Sequence, residues 1–218
     1  MKNVKKTLLL SVCALILVAA TVMGTMAYLT AEDSVTNTFA ATTLITDEDD
    51  FVLKEHKLIT TEDKKLALDE QTEVQENNYP VLPGVNLPKD PFVRVTVQSD
   101  AYLFLEVENN LPAGMTFTVD TTKWDPLMGE DGSQVKRGSN LIYVRKAGII
   151  TPAEDPEILN ILTNKTVEVA NDFDPSTLTG AEAESKTLSF YGYLVQATAD
   201  DYNTALGAWN AFIDSQTP

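Results

Sequence analysis

The sequence predicts a mainly all-β protein: an antiparallel β-sandwich of jelly-roll-like type, with a short C-terminal α-helix and an N-terminal signal helix. Three observations carry this. Short runs of alternating apolar and polar residues recur at regular spacing, separated by Pro, Gly, Asn and Asp. The apolar period changes from two to the helical 3.6 only near the end of the chain. The chain also opens on lysines followed by one long uncharged apolar run.

In chain order, Lys2, Lys5 and Lys6 precede an apolar stretch from Leu8 to Met23, and Gly24-Thr25-Met26-Ala27 follows. A basic n-region, a hydrophobic core and small residues at −3 (Thr25) and −1 (Ala27) read as a secretory signal peptide cleaved before Tyr28. The alternative is an uncleaved membrane anchor, because no charge falls between Thr7 and Ala31 and about 20 apolar residues span a bilayer. A lipoprotein reading is discounted: Cys13 sits too early, inside the apolar run. The predicted organisation is a signal segment at 1–27, an extended segment at 28–46 and one sandwich domain at 47–218. The predicted location is secreted, at the cell surface or in an extracellular matrix, or membrane-anchored if the signal stays attached.

Loss of residues 1–27 removes three of the 16 Lys and Arg and none of the 32 Asp and Glu, taking the formal charge from −16 to −19. Such a chain is a poor match for nucleic acid or anionic lipid, which are held through Lys and Arg. The single cysteine, Cys13, leaves with the signal, so disulfides and thiol chemistry leave with it.

Residues 28–46 are Thr-rich and uncommitted, with a candidate strand from Phe39 to Ile45. Asp47-Glu48-Asp49-Asp50 reads as an acidic loop. Residues 51–58 (FVLKEHKL) suit a strand, and 60–78 a charged surface excursion with a helical turn near Lys64–Leu68. Pro80, Pro83, Pro88 and Pro91 forbid a central strand nearby. FVRVTV (92–97) and YLFLEVE (102–108) alternate, and a short turn at 98–101 joins them as an antiparallel pair with Leu103, Leu105 and Val107 inward. MTFTV (115–119), LIYVRKA (141–147) and 166–169 are further strands, and Trp124 follows the first of them. Asp155-Pro156-Glu157 reads as the start of a short helix over 158–162. TLSFYGYLVQAT (187–198) is a long strand with Gly192 as a bulge. Tyr202, Ala205, Leu206, Trp209, Phe212 and Ile213 share one helical face, capped by Asp200 or Asp201.

Chemistry is sparse. His56, the only histidine, stands between Glu55 and Lys57, and no H-E-x-x-H or G-x-S-x-G motif is present. No phosphate-binding glycine loop occurs. No cofactor is expected. Asp47, Asp49 and Asp50 are weak calcium candidates, as is Glu130-Asp131, without EF-hand spacing. Trp124, Trp209, Tyr102, Tyr191 and Tyr193 raise the question of a carbohydrate platform, with Tyr191 and Tyr193 on one strand face opposite Phe190.

Gly24-Thr25-Met26-Ala27-Tyr28-Leu29-Thr30, then Asn37-Thr38-Phe39-Ala40 and Thr43-Leu44, resembles the N-terminus of the TasA/camelysin-type exported proteins of Gram-positive bacteria. Ala41-Thr42 stands where that pattern usually has Gly. Leu82-Pro83-Gly84 with Lys89-Asp90, and Trp124 with Ile142-Tyr143-Val144-Arg145-Lys146 and Ile150-Thr151-Pro152, resemble later family runs more diffusely. The resemblance implies processing by a SipW-like signal peptidase. It also implies a jelly-roll-like secreted protein that builds fibres in biofilm matrix, the N-terminal segment of one subunit completing the sheet of the next. Candidate donated residues are Leu29, Val35, Phe39, Leu44 and Ile45. An N-terminal strand paired within its own subunit is the competing arrangement. Camelysin-like relatives are classed as metallopeptidases, which leaves a third, enzymatic alternative beside assembly and a monomeric binding module for polysaccharide or a surface partner.

Overall fold

The computed structural model describes residues 30–33, 44–178, 186–197 and 204–216. The chain is mainly β, in antiparallel sheets, with a C-terminal helix. The strands are β1 (Thr30–Asp33), β2 (Phe51–Thr60), β3 (Leu66–Val74), β4 (Leu87–Pro88), β5 (Phe92–Val95), β6 (Ala101–Asn109), β7 (Met115–Thr116), β8 (Trp124–Pro126), β9 (Lys136–Arg137), β10 (Asn140–Arg145), β11 (Glu157–Asn160), β12 (Thr166–Val169) and β13 (Leu188–Gln196). The helix α1 spans Ala205–Gln216.

One sheet runs β1-β13-β6-β10-β8, with β9 also on β10; a second runs β11-β5-β2-β3; a small third runs β4-β12-β7. The two larger sheets face each other in a sandwich-like arrangement. Leu103, Leu105 and Val107 of β6 and Leu194 of β13 meet Phe51, Val93 and Val95 of the second sheet in one buried cluster. Trp124 is fully buried at the margin of this core, its indole N–H donating to the Asn160 carbonyl at 2.9 Å. Fully burying side chains of this size contributes about 1.5–3 kcal/mol each.

Several expectations change. FVRVTV and YLFLEVE do form strands, but β5 and β6 lie in different sheets, so the connection at 96–100 is a crossover and not a hairpin turn. The outer face of β6 is covered as well: Tyr102 and Phe104 pack under Trp209 and Phe212 of α1, while Leu103, Leu105 and Val107 face the main core. The helical turn expected at Lys64–Leu68 is instead the start of β3, which pairs with β2. Thr61 and Lys65 close the hairpin between them, with Lys64 at φ 59° in the turn.

The helix expected after Pro156 is β11, paired with β5 from Glu157 to Asn160. Alternation decides it: Leu159 and Ile161 point inward while Ile158 remains 55% exposed. MTFTV yields only the two-residue β7. Gly192 is not a bulge, since the β13–β6 register runs unbroken from Leu188 to Gln196. It is a close approach, where a Cβ would come within 2.9 Å of Phe51 Cζ. The candidate strand over Phe39–Ile45 falls largely outside the described residues, and Leu44 and Ile45 are not in a strand.

α1 lies on the outer face of the six-stranded sheet, with Ala208, Trp209 and Phe212 buried. Its first turn is capped by Thr204, whose side-chain oxygen accepts from Gly207 N–H at 3.1 Å. The expected caps, Asp200 and Asp201, lie outside the described residues.

Candidate functional site

The residues named from sequence fall into separate places. Thr25, Ala27, Tyr28, Leu29, Val35 and Phe39 lie outside the described residues. Leu44, 2% exposed, belongs to the main core of its own chain, and its carbonyl accepts from Gln98 N–H at 2.8 Å. Ile45 packs against the same core. These two residues therefore anchor the start of the sandwich.

The acidic run 47–50 is a self-contained cap. Asp47 caps a 3₁₀ turn over Glu48–Asp50, its side chain accepting from Asp49 N–H, and Asp50 reaches back in a capping box. Asp50 Oδ2 accepts from Thr46 N–H, Thr46 Oγ1 and Asp47 N–H at 2.7–2.9 Å. Slight burial alone would raise this carboxyl, but those hydrogen bonds outweigh it and hold it below the usual range. One oxygen of Asp47 and one of Asp50 are thus held by this local cap. Among the described residues, no group of three His, Cys, Asp or Glu side chains is placed to hold a metal ion. No helix there is long and apolar enough to cross a membrane.

The aromatic candidates are packing residues. Trp124, Trp209 and Tyr102 are buried. Tyr193, 5% exposed, lies edge-on to Trp209 with ring centres 5.6 Å apart, under α1. Tyr191 is half-buried and donates to Glu108 at 2.8 Å, which together with desolvation raises its hydroxyl above the usual value. The face they share is the sandwich's second packed face.

β1 occupies the edge of the six-stranded sheet, opposing β13 from Thr30↔Val195 to Asp33↔Gly192. Asn110 N–H donates to the Thr187 carbonyl at one end of the β13–β6 ladder and Ala197 N–H to the Asp100 carbonyl at the other. By antiparallel alternation, the odd-numbered residues of β13 turn their N–H and C=O toward β6, and Leu188, Phe190, Gly192 and Leu194 turn theirs the other way. β1 serves the last two. Among the described residues, no strand pairs with Leu188 or Phe190 on that side.

That stretch of edge borders a cleft of about 690 Å³ between β13 and β2. Its apolar wall includes Leu53, Leu87, Leu111, Met115, Val167 and Leu178. Its charged end is built on Glu55, 3% exposed, on the inward face of β2. Lys89 Nζ reaches Glu55 Oε2 at 2.8 Å, and the Tyr79 hydroxyl donates to the same oxygen at 3.0 Å. Burial pushes the Tyr79 hydroxyl far up, and the Glu55 charge adds to it, so it stays a protonated donor. Lys89 Nζ also lies 5.1 Å from the centre of the Tyr79 ring.

His56, the next residue on β2, faces the opposite side. Its backbone N–H and Nδ1 meet Asp90 Oδ1 and Oδ2 at 3.1 and 2.7 Å, and Lys165 Nζ is 3.5 Å from Asp90 Oδ2. His56 and Glu55 therefore tie the same neighbouring pair, Lys89-Asp90, to β2 from its two faces. In the sequence, Lys89-Asp90 carries no signal beyond the family resemblance. No local signal connects it to Glu55-His56, 34 positions earlier.

Comparison of the chain with protein-family models, curated proteins and solved structures returns no match. The TasA/camelysin resemblance therefore stands on the quoted motifs alone.

Proposed function

We propose that this chain is an exported cell-surface or matrix protein that acts by assembly, exchanging its N-terminal strand between subunits. The observation that carries this reading is the edge position of β1: four residues, next to the expected processing site, closing one side of β13. The same edge of β13 runs on past Asp33 with Leu188 and Phe190 unpaired among the described residues, so it offers a longer strand more main-chain partners than β1 takes. Strand exchange at one edge is heterologous and does not close, so it propagates as a filament. The structure of a single chain has β1 in its own sheet, the self-complemented state from which exchange would start. Leu44 and Ile45 stay with their own core, so the exchanged segment ends before them.

Two further features support export: the signal-like N-terminus, and an acidic chain whose only cysteine lies within that signal. The protein starting at Tyr28 is expected to form filaments by negative-stain electron microscopy, with mass rising in light scattering as concentration rises. A chain lacking 28–33 is expected to stay monomeric. Filaments of equal length from both chains would sink the strand-exchange reading, and a monomer from both would sink assembly itself.

A further inference from the structure

We propose that Lys165 and Asp90 become joined by an intramolecular side-chain amide, formed with loss of water and promoted by His56. Asp90 is 2% exposed, and its carboxylate is held at both oxygens. The His56 backbone N–H donates to Oδ1 at 3.1 Å, and His56 Nδ1 lies 2.7 Å from Oδ2. An ionised carboxylate only accepts, so Nδ1 carries the hydrogen in this contact. Lys165 Nζ approaches the same Oδ2 to 3.5 Å. An amine, an acyl carbon, a donor on one carboxyl oxygen and a proton carrier on the other therefore meet at one place.

The backbone is bent to bring the lysine there. Asn164 and Lys165 both have left-handed φ, 57° and 51°. Asn is among the residues that tolerate this conformation, and Lys is not. Such strain clusters where a side chain must be aimed. The Lys165 carbonyl accepts from Lys89 N–H at 2.9 Å, and Thr166 opposes Pro88 in the β12–β4 pair. The main chain of the lysine is thus fastened beside Asp90. An ordinary half-exposed ion pair gains little and would not offset the strain.

The step balances within the pair. Nζ, after giving up a proton, uses its lone pair to bond Cγ, and the Cγ–Oδ2 bond breaks with its electrons on oxygen. Two of the three ammonium protons end on Oδ2, which leaves as water, and the third stays on the amide nitrogen. His56 Nδ1 hands one proton to the departing oxygen and recovers one from the attacking nitrogen. Oδ1 becomes the amide carbonyl, still held by the His56 N–H. Both charges vanish, which relieves a buried carboxylate, and the burial of Asp90 shields the product from hydrolysis. The only cysteine is Cys13, in the signal-like segment, so a disulfide is not open to the sandwich. The amide would fasten the start of β12 to the start of β5, and it does not depend on strand exchange.

The test is the intact mass of the purified protein under denaturing conditions, followed by tryptic mapping. The parent should be lighter than its sequence by one water. Trypsin should leave Lys165 uncut and release a branched peptide joining residues 90–94 to residues 147–186. Lys165→Arg, at a half-exposed side chain and with the charge kept, should have its full sequence mass and an unchanged circular dichroism spectrum. His56→Gln keeps a donor but cannot relay a proton. It should slow formation at least about hundredfold, read as the dehydrated fraction at fixed times after expression. A parent at full sequence mass overturns the inference. So does a water loss that persists in Lys165→Arg, or one that maps to another pair such as Glu55 and Lys89. Formation in His56→Gln at the parent's rate overturns the role given to His56.

Discussion

Two buried carboxylates, Glu106 and Glu55, sit in the two large sheets and are treated in opposite ways. Glu106 on β6, 4% exposed, is closed on all sides. Asn140 Nδ2 donates to Oε1, the Tyr193 hydroxyl donates to Oε2 at 2.8 Å, and Arg137 Nη1 lies 3.4 Å from Oε2. Glu55 is equally buried, and Lys89 Nζ and the Tyr79 hydroxyl both bond its Oε2 beside a cleft. The first arrangement is what a polar group under a helix-covered aromatic layer requires. The second pairs a buried carboxylate with an ammonium at the margin of a cleft. Burial alone does not separate the two acids; the partners of each oxygen do.

The comparison can be broken at its strongest point by removing the ammonium. Lys89→Met leaves Glu55 charged and unpaired, and should cost about 3–5 kcal/mol of unfolding free energy in urea melts. A loss under about 1 kcal/mol would mean that water already reaches Glu55 and that the cleft is wetter than described. Glu106→Gln comes next. It keeps the volume but turns an amide NH2 on a ring of donors, and should cost about 1–3 kcal/mol by the same assay.

The smallest effect belongs to an acid on the outer face of the second sheet, Glu73. The Arg94 guanidinium holds both its oxygens at 2.7 and 3.1 Å, and keeps its carboxyl below the usual 4.5 against a smaller upward push from desolvation. With the folded value below the unfolded one, its contribution is present above pH 4.5 and fades as pH falls through the lower folded value. Glu73→Gln should therefore differ from the parent by at most about 1 kcal/mol at pH 7, and by nothing measurable in acid. An equal gap at both ends of the pH range would show that packing, and not charge, is what Glu73 contributes.

The strands β2, β6, β10, β12 and β13 were legible because each carries its own alternation or a dense β-branched and aromatic run. Burial of Trp209 and Phe212 followed from helical spacing in the same way. What failed was non-local. Nothing in 96–100 distinguishes a hairpin turn from a crossover between sheets, since both need a short polar connection. Asp155-Pro156-Glu157 satisfied a helix-start rule, but pairing with β5 overrode local preference. β3 read as a loop because an exposed edge strand carries charges, such as Asp69, Glu70 and Glu73, that blunt pairing with other chains. The candidate site was hidden for the same reason. Tyr79, Lys89 and Glu55 are ordinary residues apart, and only the return of the chain from position 79 to β2 makes them one group.

The position of β1 sets a timetable as well as a geometry. Thr30 lies three residues beyond Ala27, a reach of about 10 Å for extended chain. If residues 1–27 remain lodged in a bilayer, β13 is held with its edge within that distance of the lipid surface. Every subunit so tethered would present the sandwich in one orientation and in one layer. Cutting the tether would release the molecule with β1 still in its own sheet, so that, under the proposed exchange, the supply of exchangeable strands would be metered by that cleavage rather than by synthesis.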